Sequence, residues 1–333
     1  MALPRPDDYL KPEQIRALYK RSNLVGALLI LHAWALILGA MALFVVWPNP
    51  LTFLLAVMVI GGRQHGLTVL MHDCSHGLLF ENRKLNEWTG TWLCAAPNFV
   101  SLLLYRPYHL MHHRLTQQRN DPDIDLANRH LAPGSKPFPI TRKSFWHEVV
   151  RDLTGQSAFV RWRALIKYRA GAEKVAALIR SGAPAPMSRL APTRRPIEIL
   201  GMGLLREGVT ANAILWAAMA VAGYWWVYPV LWLLPLATWY QLTIRIRTIA
   251  EHMMVPDNND LLRNARTTYA NPIERLLIVP YWINYHLDHH LLTGVPCWRL
   301  PAANRAMLAA GFGPRMELKQ GYRAVLAVAA PST

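Results

Sequence analysis

Four mostly apolar stretches divide this chain, and they fall into two pairs separated by a long polar region. A helix that crosses a bilayer needs roughly 20 mostly apolar residues. The predicted spans are Leu24–Trp47, Leu51–Met71, Gly208–Val227 and Val230–Ile244. Each pair is joined by a short turn, so the chain returns twice to the side on which it began. The pattern therefore predicts an all-α integral membrane protein with four transmembrane helices in two hairpins.

Two further apolar stretches are predicted not to cross the membrane. Trp88–Tyr105 is interrupted at Pro97 and Asn98, and Leu276–Ile283 is interrupted at Pro280. Each stretch also lies between histidine groups that must share one site, and a crossing would place those groups on opposite faces. We expect re-entrant or interfacial segments whose backbone is covered by protein.

The charge of the chain sets its expected orientation. The sequence has 36 Lys and Arg, 20 Asp and Glu, and a formal net charge of +16. Neither hairpin turn contains a Lys or Arg, so the positive-inside rule makes the side that holds both termini cytoplasmic. We predict a cytoplasmic N-terminal segment (1–23), a membrane-embedded domain (24–300) and a cytoplasmic C-terminal tail (301–333). The apolar stretches argue against nucleic acid as a partner.

The polar region between the two pairs is strongly basic. Residues 129–209 carry 15 Lys or Arg against 5 Asp or Glu, and Ser144–Tyr168 has an amphipathic helical pattern. A surface that lies on anionic lipid explains this balance. Binding of an acidic electron carrier or of a CoA phosphate is the alternative.

Nine of the 13 histidines form four groups, and their spacing predicts a metal centre. Residues at i, i+3 and i+4 lie on one face of a helix, so each larger group aims its imidazoles at one region. Nine imidazoles exceed the ligands that one ion takes, and they suit two ions with four or five ligands each. The predicted ligands are His72, His76, His109, His112, His113, His252, His286, His289 and His290. The remaining histidines, His32, His65, His130 and His147, are predicted to have ordinary structural roles.

The identity of the metal follows less directly. All-imidazole sites suit zinc, copper, iron or nickel, and structural zinc usually includes cysteine. The three cysteines are scattered and form no CxxC pair. Two histidine-bound ions at a membrane surface favour redox chemistry and iron, with zinc and manganese left open. Asp73, Glu251 and Asp288 are predicted to accept hydrogen bonds from ligand histidines. Asn120–Asp125 resembles a calcium loop but lacks its glycine and its closing glutamate, so it is predicted to be a turn.

The histidine motifs resemble those of the membrane-bound fatty acid desaturases and related hydroxylases. His72–Gly77 (HDCSHG) is similar to the first histidine box of that family, and His109–His113 (HLMHH) to the second. Asn284–Leu292 (NYHLDHHLL) is similar to the NYHxEHH segment, with Gly294–Pro296 after it. The resemblance extends over residues 51–300, which is most of the chain.

This resemblance implies a cytoplasmic cap that holds two iron ions above four membrane helices, with dioxygen as co-substrate. It implies desaturation of a fatty acyl chain or lipid; a hydroxylase or ketolase, or a desaturase of a non-lipid metabolite, is the alternative. No His-Pro-Gly-Gly motif is present, so electrons are expected from a separate donor, a ferredoxin or cytochrome b5. Thr248 replaces the Asn of acyl-CoA desaturases, and Asp288 replaces the usual Glu. Arg245 and Arg247 are expected to anchor the protein at the interface or, alternatively, to meet a charged substrate.

Overall fold

The computed structural model describes residues 5–124, 138–163, 166, 177, 179–181 and 206–331. Within these residues the fold is mostly helical, as predicted, with a small two-stranded parallel sheet in addition. The strands are β1 (Thr267–Tyr269) and β2 (Leu318–Gln320). The main helices are α1 (Pro12–Leu18), α2 (Asn23–Val46), α3 (Pro50–Ser75), α4 (Arg83–Thr89), α5 (Leu102–Leu115), α6 (Arg142–Leu153), α7 (Arg206–Val221), α8 (Leu234–Ala237), α9 (Trp239–His252), α10 (Pro272–Leu277), α11 (His286–Leu291), α12 (Leu300–Ala309) and α13 (Tyr322–Ala329).

Helices α2 and α3 form the first predicted hairpin. Asn49 caps α3, because its side-chain oxygen accepts hydrogen bonds from the N–H groups of Leu51 and Thr52 at 3.0 and 3.1 Å. Pro50 supplies a fixed φ at the first helical position. Both helices are long and apolar enough to cross a membrane, but the most apolar window of α3 is 72% buried and that of α2 only 22%. Helix α3 is therefore the central helix, and α2 presents an apolar outer face.

The second predicted hairpin is less regular than the first. Helix α7 ends before a turn at Gly223, whose φ of 85° is favourable only for glycine. The chain continues as a π-helix (Tyr228–Leu233) into α8 and then breaks at Thr238 before α9. The Thr238 hydroxyl bonds the Leu234 carbonyl at 2.7 Å. The predicted span Val230–Ile244 is thus divided, and among the described residues only α2 and α3 meet the length and hydropathy of a span.

Trp232 joins the two hairpins inside the molecule. Its indole is fully buried and stacks on Trp34 of α2, with ring centroids 5.6 Å apart. The backbone carbonyl of Trp232 accepts a hydrogen bond from the Gln64 side chain of α3 at 2.8 Å, and the indole N–H donates to the side-chain oxygen of Asn212 of α7 at 3.1 Å. These contacts hold α7 and the π-helix against the central helix.

Neither of the two shorter apolar stretches forms a continuous helix. Within Trp88–Tyr105 a π-helix (Gly90–Ala95) gives way to a 3-10 turn (Ala96–Asn98), and Phe99 adopts a left-handed φ of 55° before α5 begins. Leu276–Ile283 contains only the end of the six-residue helix α10. The predicted interruptions at the prolines are confirmed; re-entry into the membrane stays a prediction.

The segment predicted as a C-terminal tail is part of the packed fold up to Pro331. Helices α12 and α13 bury Met307 and Val325 in the core, and β2 pairs with β1. Arg266 donates to Glu317 at 3.0 Å and to the carbonyls of Ala250 and other residues at the end of α9. Residues 301–331 thus pack against the rest of the fold through long-range partners that a local pattern does not identify, and the cytoplasmic location of the segment 301–333 stays a prediction.

Candidate metal centre

The structure brings all nine predicted histidines together in two adjoining clusters. Ligand atoms within each cluster lie within 4.8 Å of one another. The five-histidine cluster consists of His72, His76, His109, His113 and His289. The four-histidine cluster consists of His112, His252, His286 and His290. The two clusters therefore offer five and four potential ligands; that each binds one ion stays a prediction.

Helix geometry explains how neighbouring histidines reach different clusters. Successive residues of a helix point about 100° apart, so His112 and His113 of α5 face different clusters, as do His289 and His290 of α11. At the end of α3, Gly77 has a φ of 70° and terminates the helix immediately after His76. This turn directs His76 toward the imidazoles of α5.

The imidazole nitrogens converge as metal ligands do. In the five-histidine cluster, the Nε2 atom of His109 lies 3.0 Å from that of His76 and 2.9 Å from that of His113. In the four-histidine cluster, the Nε2 atom of His252 lies 3.1 Å from that of His112 and 2.8 Å from that of His286. Two ligands at right angles on bonds of about 2.1 Å would be about 3.0 Å apart. The spacing therefore fits imidazoles around a common ion.

Unpartnered buried nitrogens also point to metal ions. Both ring nitrogens of His72 are buried and have no hydrogen-bond partner among the described residues. A neutral imidazole has one N–H donor and one lone pair, so two unpaired atoms on a buried ring are costly. A cation at the centre of the cluster would satisfy the lone pair, and the residues present therefore fit a bound metal.

Burial keeps most of these histidines neutral. It lowers the pKa of His76 to about 4 and that of His252 to about 3. Burial also lowers the pKa of His112, but the carboxylates of Asp121 and Asp123 outweigh this effect and raise the pKa to about 9. Neutral imidazoles offer lone pairs to a metal, whereas a metal that binds His112 must displace a proton.

The closest carboxylate partner of a cluster histidine is one that sequence reasoning missed. Asp121 is fully buried, and its Oδ1 accepts a hydrogen bond from Nδ1 of His112 at 2.9 Å. Its Oδ2 accepts a hydrogen bond from the backbone N–H of Gln117 at 2.8 Å, and Gln117 itself has a left-handed φ of 61°. The signal was present in the acidic stretch after the second box, which we interpreted only as a turn. A similar support is Thr116, whose hydroxyl lies 3.2 Å from Nδ1 of His290.

The three carboxylates predicted to support histidines have different surroundings. Glu251 Oε1 lies 3.3 Å from Nδ1 of His286, without hydrogen-bond geometry, and accepts a bond from Arg247 at 2.7 Å. Asp73 Oδ1 lies 3.5 Å from Nδ1 of His72, while its Oδ2 accepts from the backbone N–H of Cys297 at 2.8 Å. Asp73 thus connects the first histidine box to the segment after the third.

Asp288 is held by residues other than histidine. Asp288 is fully buried, and its Oδ2 accepts hydrogen bonds from the Thr267 hydroxyl at 2.7 Å and from the Asn304 side-chain amide at 3.1 Å. Its hydrogen bonds in the described part of the chain fasten α11 to β1 and α12. The expected bond from Asp288 to a ligand histidine is therefore not formed, because Thr267 and Asn304 occupy its oxygens.

The remaining polar residues singled out in the sequence lie away from the clusters. His32 bonds the Tyr281 hydroxyl through Nδ1 at 3.0 Å, His65 is buried against the Ile278 carbonyl, and His147 is exposed. His130 lies outside the described residues. Arg245 is not an interfacial anchor: it is buried in ion pairs with Asp152 and Glu148 of α6.

A cavity of about 310 Å³ reaches the five-histidine cluster at His76. Arg21, Arg83 and Arg106 line it, together with Glu81 and Glu87. Arg106 is already paired with Glu87 at 2.6 Å and donates to the Ser75 carbonyl at 2.9 Å, at the end of α3. Arg21, Arg83 and Glu81 are exposed at this cavity.

Comparison with known proteins agrees with the site geometry. The family model described as fatty acid desaturase matches residues 47–316. The dihydrorhizobitoxine desaturase of Bradyrhizobium elkanii is 24% identical over 286 residues, which cover 85% of this chain and 75% of that protein. The β-carotene ketolase of Paracoccus sp. (strain PC1) is 23% identical over 283 residues, or 83% of this chain and 87% of that protein. The matched region contains all nine histidines.

Proposed function

Because this chain belongs to the fatty acid desaturase family, we propose that it uses dioxygen to desaturate an acyl chain or another lipid at a histidine-bound di-iron centre. The observation that carries the proposal is the convergence of nine imidazoles, seven of them buried, into two adjoining clusters. Five ligands in one cluster and four in the other suit one ion each. All-nitrogen coordination is compatible with iron.

The protein would contribute ligand orientation and shelter from water. Asp121 fixes the ring of His112, and Thr116 lies against that of His290. Burial disfavours protonation of the cluster imidazoles other than His112, and seven of the nine histidines are shielded from bulk solvent. Two bound irons would supply the oxidising power to break an unactivated C–H bond, which no amino-acid side chain has.

Electrons would come from a separate acidic protein, a ferredoxin or cytochrome b5. The cavity beside His76 supports this part of the proposal, since Arg21 and Arg83 are exposed at its mouth. Clustered cations attract an acidic partner and raise its association rate at low ionic strength. Such a partner would be positioned next to a ligand of the five-histidine cluster.

A second candidate is oxidation of a substrate that is not an acyl chain, with a double bond or a carbonyl group as product. The two relatives favour it, because one is named as a desaturase of dihydrorhizobitoxine and the other as a ketolase of β-carotene. Arg245 and Arg247 do not argue for a charged substrate, since both guanidinium groups are already paired with carboxylates. The two candidates differ in the product formed and not in the metal centre.

We further propose that residues 206–221 and 228–244 complete two membrane hairpins, with both termini and the metal centre on the cytoplasmic side. The absence of Lys and Arg from both turns and the +16 charge support this orientation. Alkaline phosphatase fused after Asn49 or Tyr224 should be active in the bacterial periplasm, whereas a fusion after Thr333 should be inactive. An active fusion after Thr333 would contradict the two-hairpin arrangement.

The proposed activity can be tested by expressing the chain in a bacterial host with a ferredoxin system. We would compare cell lipids by mass spectrometry among wild type, His289→Ala and the control His147→Ala, an exposed histidine outside both clusters. Species that lack two hydrogens should appear with wild type and His147→Ala only. Gain of one oxygen would indicate hydroxylation, and gain of one oxygen with loss of two hydrogens would indicate ketolation.

The iron content of the purified protein distinguishes two reasons for a negative lipid result: a host that lacks the substrate, and a protein that has no di-iron centre. Purified wild type and His147→Ala should each contain two irons per chain. Iron without a new lipid species would favour the second candidate and a non-lipid substrate. Wild-type protein that binds neither iron nor another transition metal would refute the proposed centre.

A further inference from the structure

Helix α6 lies against α9 through one of its faces, and ionic contacts hold the two helices together. Glu148, Val149 and Asp152 belong to this face and are buried. Arg245 of α9 donates a hydrogen bond to Oδ1 of Asp152 at 3.0 Å and lies 3.1 Å from a carboxylate oxygen of Glu148. The position of α9 therefore also fixes the position of α6.

These contacts place α6 at the level where the proposed fourth membrane span ends. Arg245 directly follows that span (228–244). After α6, Gly155 has a φ of 77° and turns the chain, and a Cβ atom added to Gly155 would lie 3.7 Å from the carbonyl oxygen of Ala237. Ala237 lies inside the same span. Relative to the proposed span, the C-terminal end of α6 therefore lies at the boundary of the bilayer and not out in the cytoplasm.

A second face of α6 is apolar and exposed. Trp146, Val150 and Leu153 recur at i, i+4 and i+7, so they form one stripe along the helix. Their side chains are 61%, 53% and 42% exposed. After the turn that follows α6, Phe159 and Val160 are exposed as well. Exposed apolar side chains that are grouped in this way mark a contact with a membrane or with another protein.

The third face of α6 carries basic and polar groups. Lys143, His147 and Arg151 recur at i, i+4 and i+8 beside the apolar stripe, on the side away from α9. The two acidic residues of the helix are both buried against α9. Basic side chains beside an apolar stripe that includes a tryptophan are typical of a helix that lies in the plane of a membrane surface. An acidic electron carrier would complement the basic face alone, whereas a lipid surface complements both exposed faces.

We propose that α6 is an in-plane membrane anchor, with Trp146, Val150 and Leu153 inserted among the lipids of the cytoplasmic leaflet and Lys143 beside their phosphate groups. This location, which rests on the two-hairpin arrangement proposed above, gives a role to the ion pairs of Arg245. They fasten the anchor to α9, the helix that ends in a ligand of the four-histidine cluster. The anchor thereby fixes the height of that cluster above the bilayer.

The experiment measures the depth of nitroxide spin labels on the full-length chain in nanodiscs of phosphatidylglycerol and phosphatidylcholine. The labelled variants are Val150→Cys and Leu153→Cys on the apolar face and His147→Cys on the basic face of the same helix. Their references are Leu38→Cys, at an exposed position of α2, and Asp257→Cys, at an exposed position in the loop after α9. The three native cysteines are buried, so folded wild type should take up little label and serves as the blank. Collisions of each label with oxygen, which concentrates in lipid, are compared with collisions with a neutral water-soluble nickel chelate.

Labels at Val150 and Leu153 should collide mainly with oxygen and lie roughly 5–10 Å into the bilayer surface, the depth typical of in-plane helices. The label at His147 should lie closer to water, and the label at Asp257 should collide mainly with the nickel chelate. Metal content should match that of wild type in every variant, which shows that the fold is intact.

Two results would overturn the anchor while the label at Leu38 still reports lipid. Labels at Val150 and Leu153 that the nickel chelate reaches as readily as the label at Asp257 would place the apolar face in water. Labels there that are shielded from both reagents would mean that protein covers this face, either another part of the chain or a second copy. A label at Leu38 that collides mainly with the nickel chelate would refute the two-hairpin arrangement itself, and the anchor with it.

Discussion

The hydrogen bond from His112 to Asp121 allows one cluster to be perturbed without the other. Asp121→Asn keeps the shape of the side chain and removes its charge. The bond is 2.9 Å long and fully buried, so it is stronger than a similar bond in water. Loss of such an outer partner typically reduces metal affinity by 10- to 100-fold, or about 1.4 to 2.7 kcal/mol. We expect a loss near the upper end of this range, because Asp121 has no access to compensating water.

The expected signature of Asp121→Asn is the selective loss of one metal ion. Under graded chelator challenge, wild type should release two irons at similar chelator concentrations, whereas the variant should release the first iron at a concentration 10- to 100-fold lower. The second iron, in the five-histidine cluster, should be retained as in wild type. Asp7→Asn, at an exposed position near the N-terminus, is the matched control. Parallel loss of both irons in Asp121→Asn, or no change, would refute separate roles for the two clusters.

Three other predictions concern stability. Gly77→Val should lower metal content and the Tm in detergent, because φ of 70° disfavours a β-branched residue, whereas Gly77→Asn should be tolerated better; equal effects would contradict this reasoning. Asp152→Leu leaves Arg245 with Glu148 as its one carboxylate partner among the described residues, and it should lower the free energy of unfolding by about 3 kcal/mol. Thermal unfolding in detergent measures this loss, and an unchanged Tm would argue against a buried ion pair. Removal of metal from wild type should lower the Tm by several degrees, since ligand at 1,000 times its Kd contributes about 4 kcal/mol. Removal of metal from His289→Ala should lower the Tm of that variant by less than it lowers the Tm of wild type. Equal decreases in the two proteins would contradict a contribution of the bound metal to stability.

The set of nine histidines could be predicted from the sequence because it depends on local helical spacing. Their division between two clusters could not, because it depends on how α5 and α11 are rotated about their axes. His112 and His113 are neighbours in the chain and lie in different clusters. Only tertiary packing fixes that rotation, through contacts such as the bond from His112 to Asp121.

The helices predicted to span the membrane were predictable to the extent that they are regular. Asn49 and Pro50 give a clear turn, and the helices on both sides of it were found. The break at Thr238 was not expected, because an isolated threonine in an apolar stretch carries no strong signal. The role of Asp288 was missed for a different reason. Its partners Thr267 and Asn304 lie 21 and 16 residues away in the chain, and no periodicity relates them.

The packing of the C-terminal region has a consequence for the order in which the protein is made. Asn304 fastens the helix that carries His289 and His290, and Glu317 fastens the Arg266 side chain that binds the carbonyls next to His252. Asn304 and Glu317 come after every histidine of both clusters in the sequence, so they are synthesised last. A nascent chain that stops before Asn304 would carry all nine imidazoles yet lack the contacts that hold α11 and the end of α9 in place. The two clusters can therefore reach their final packing only after the chain has been synthesised as far as Glu317.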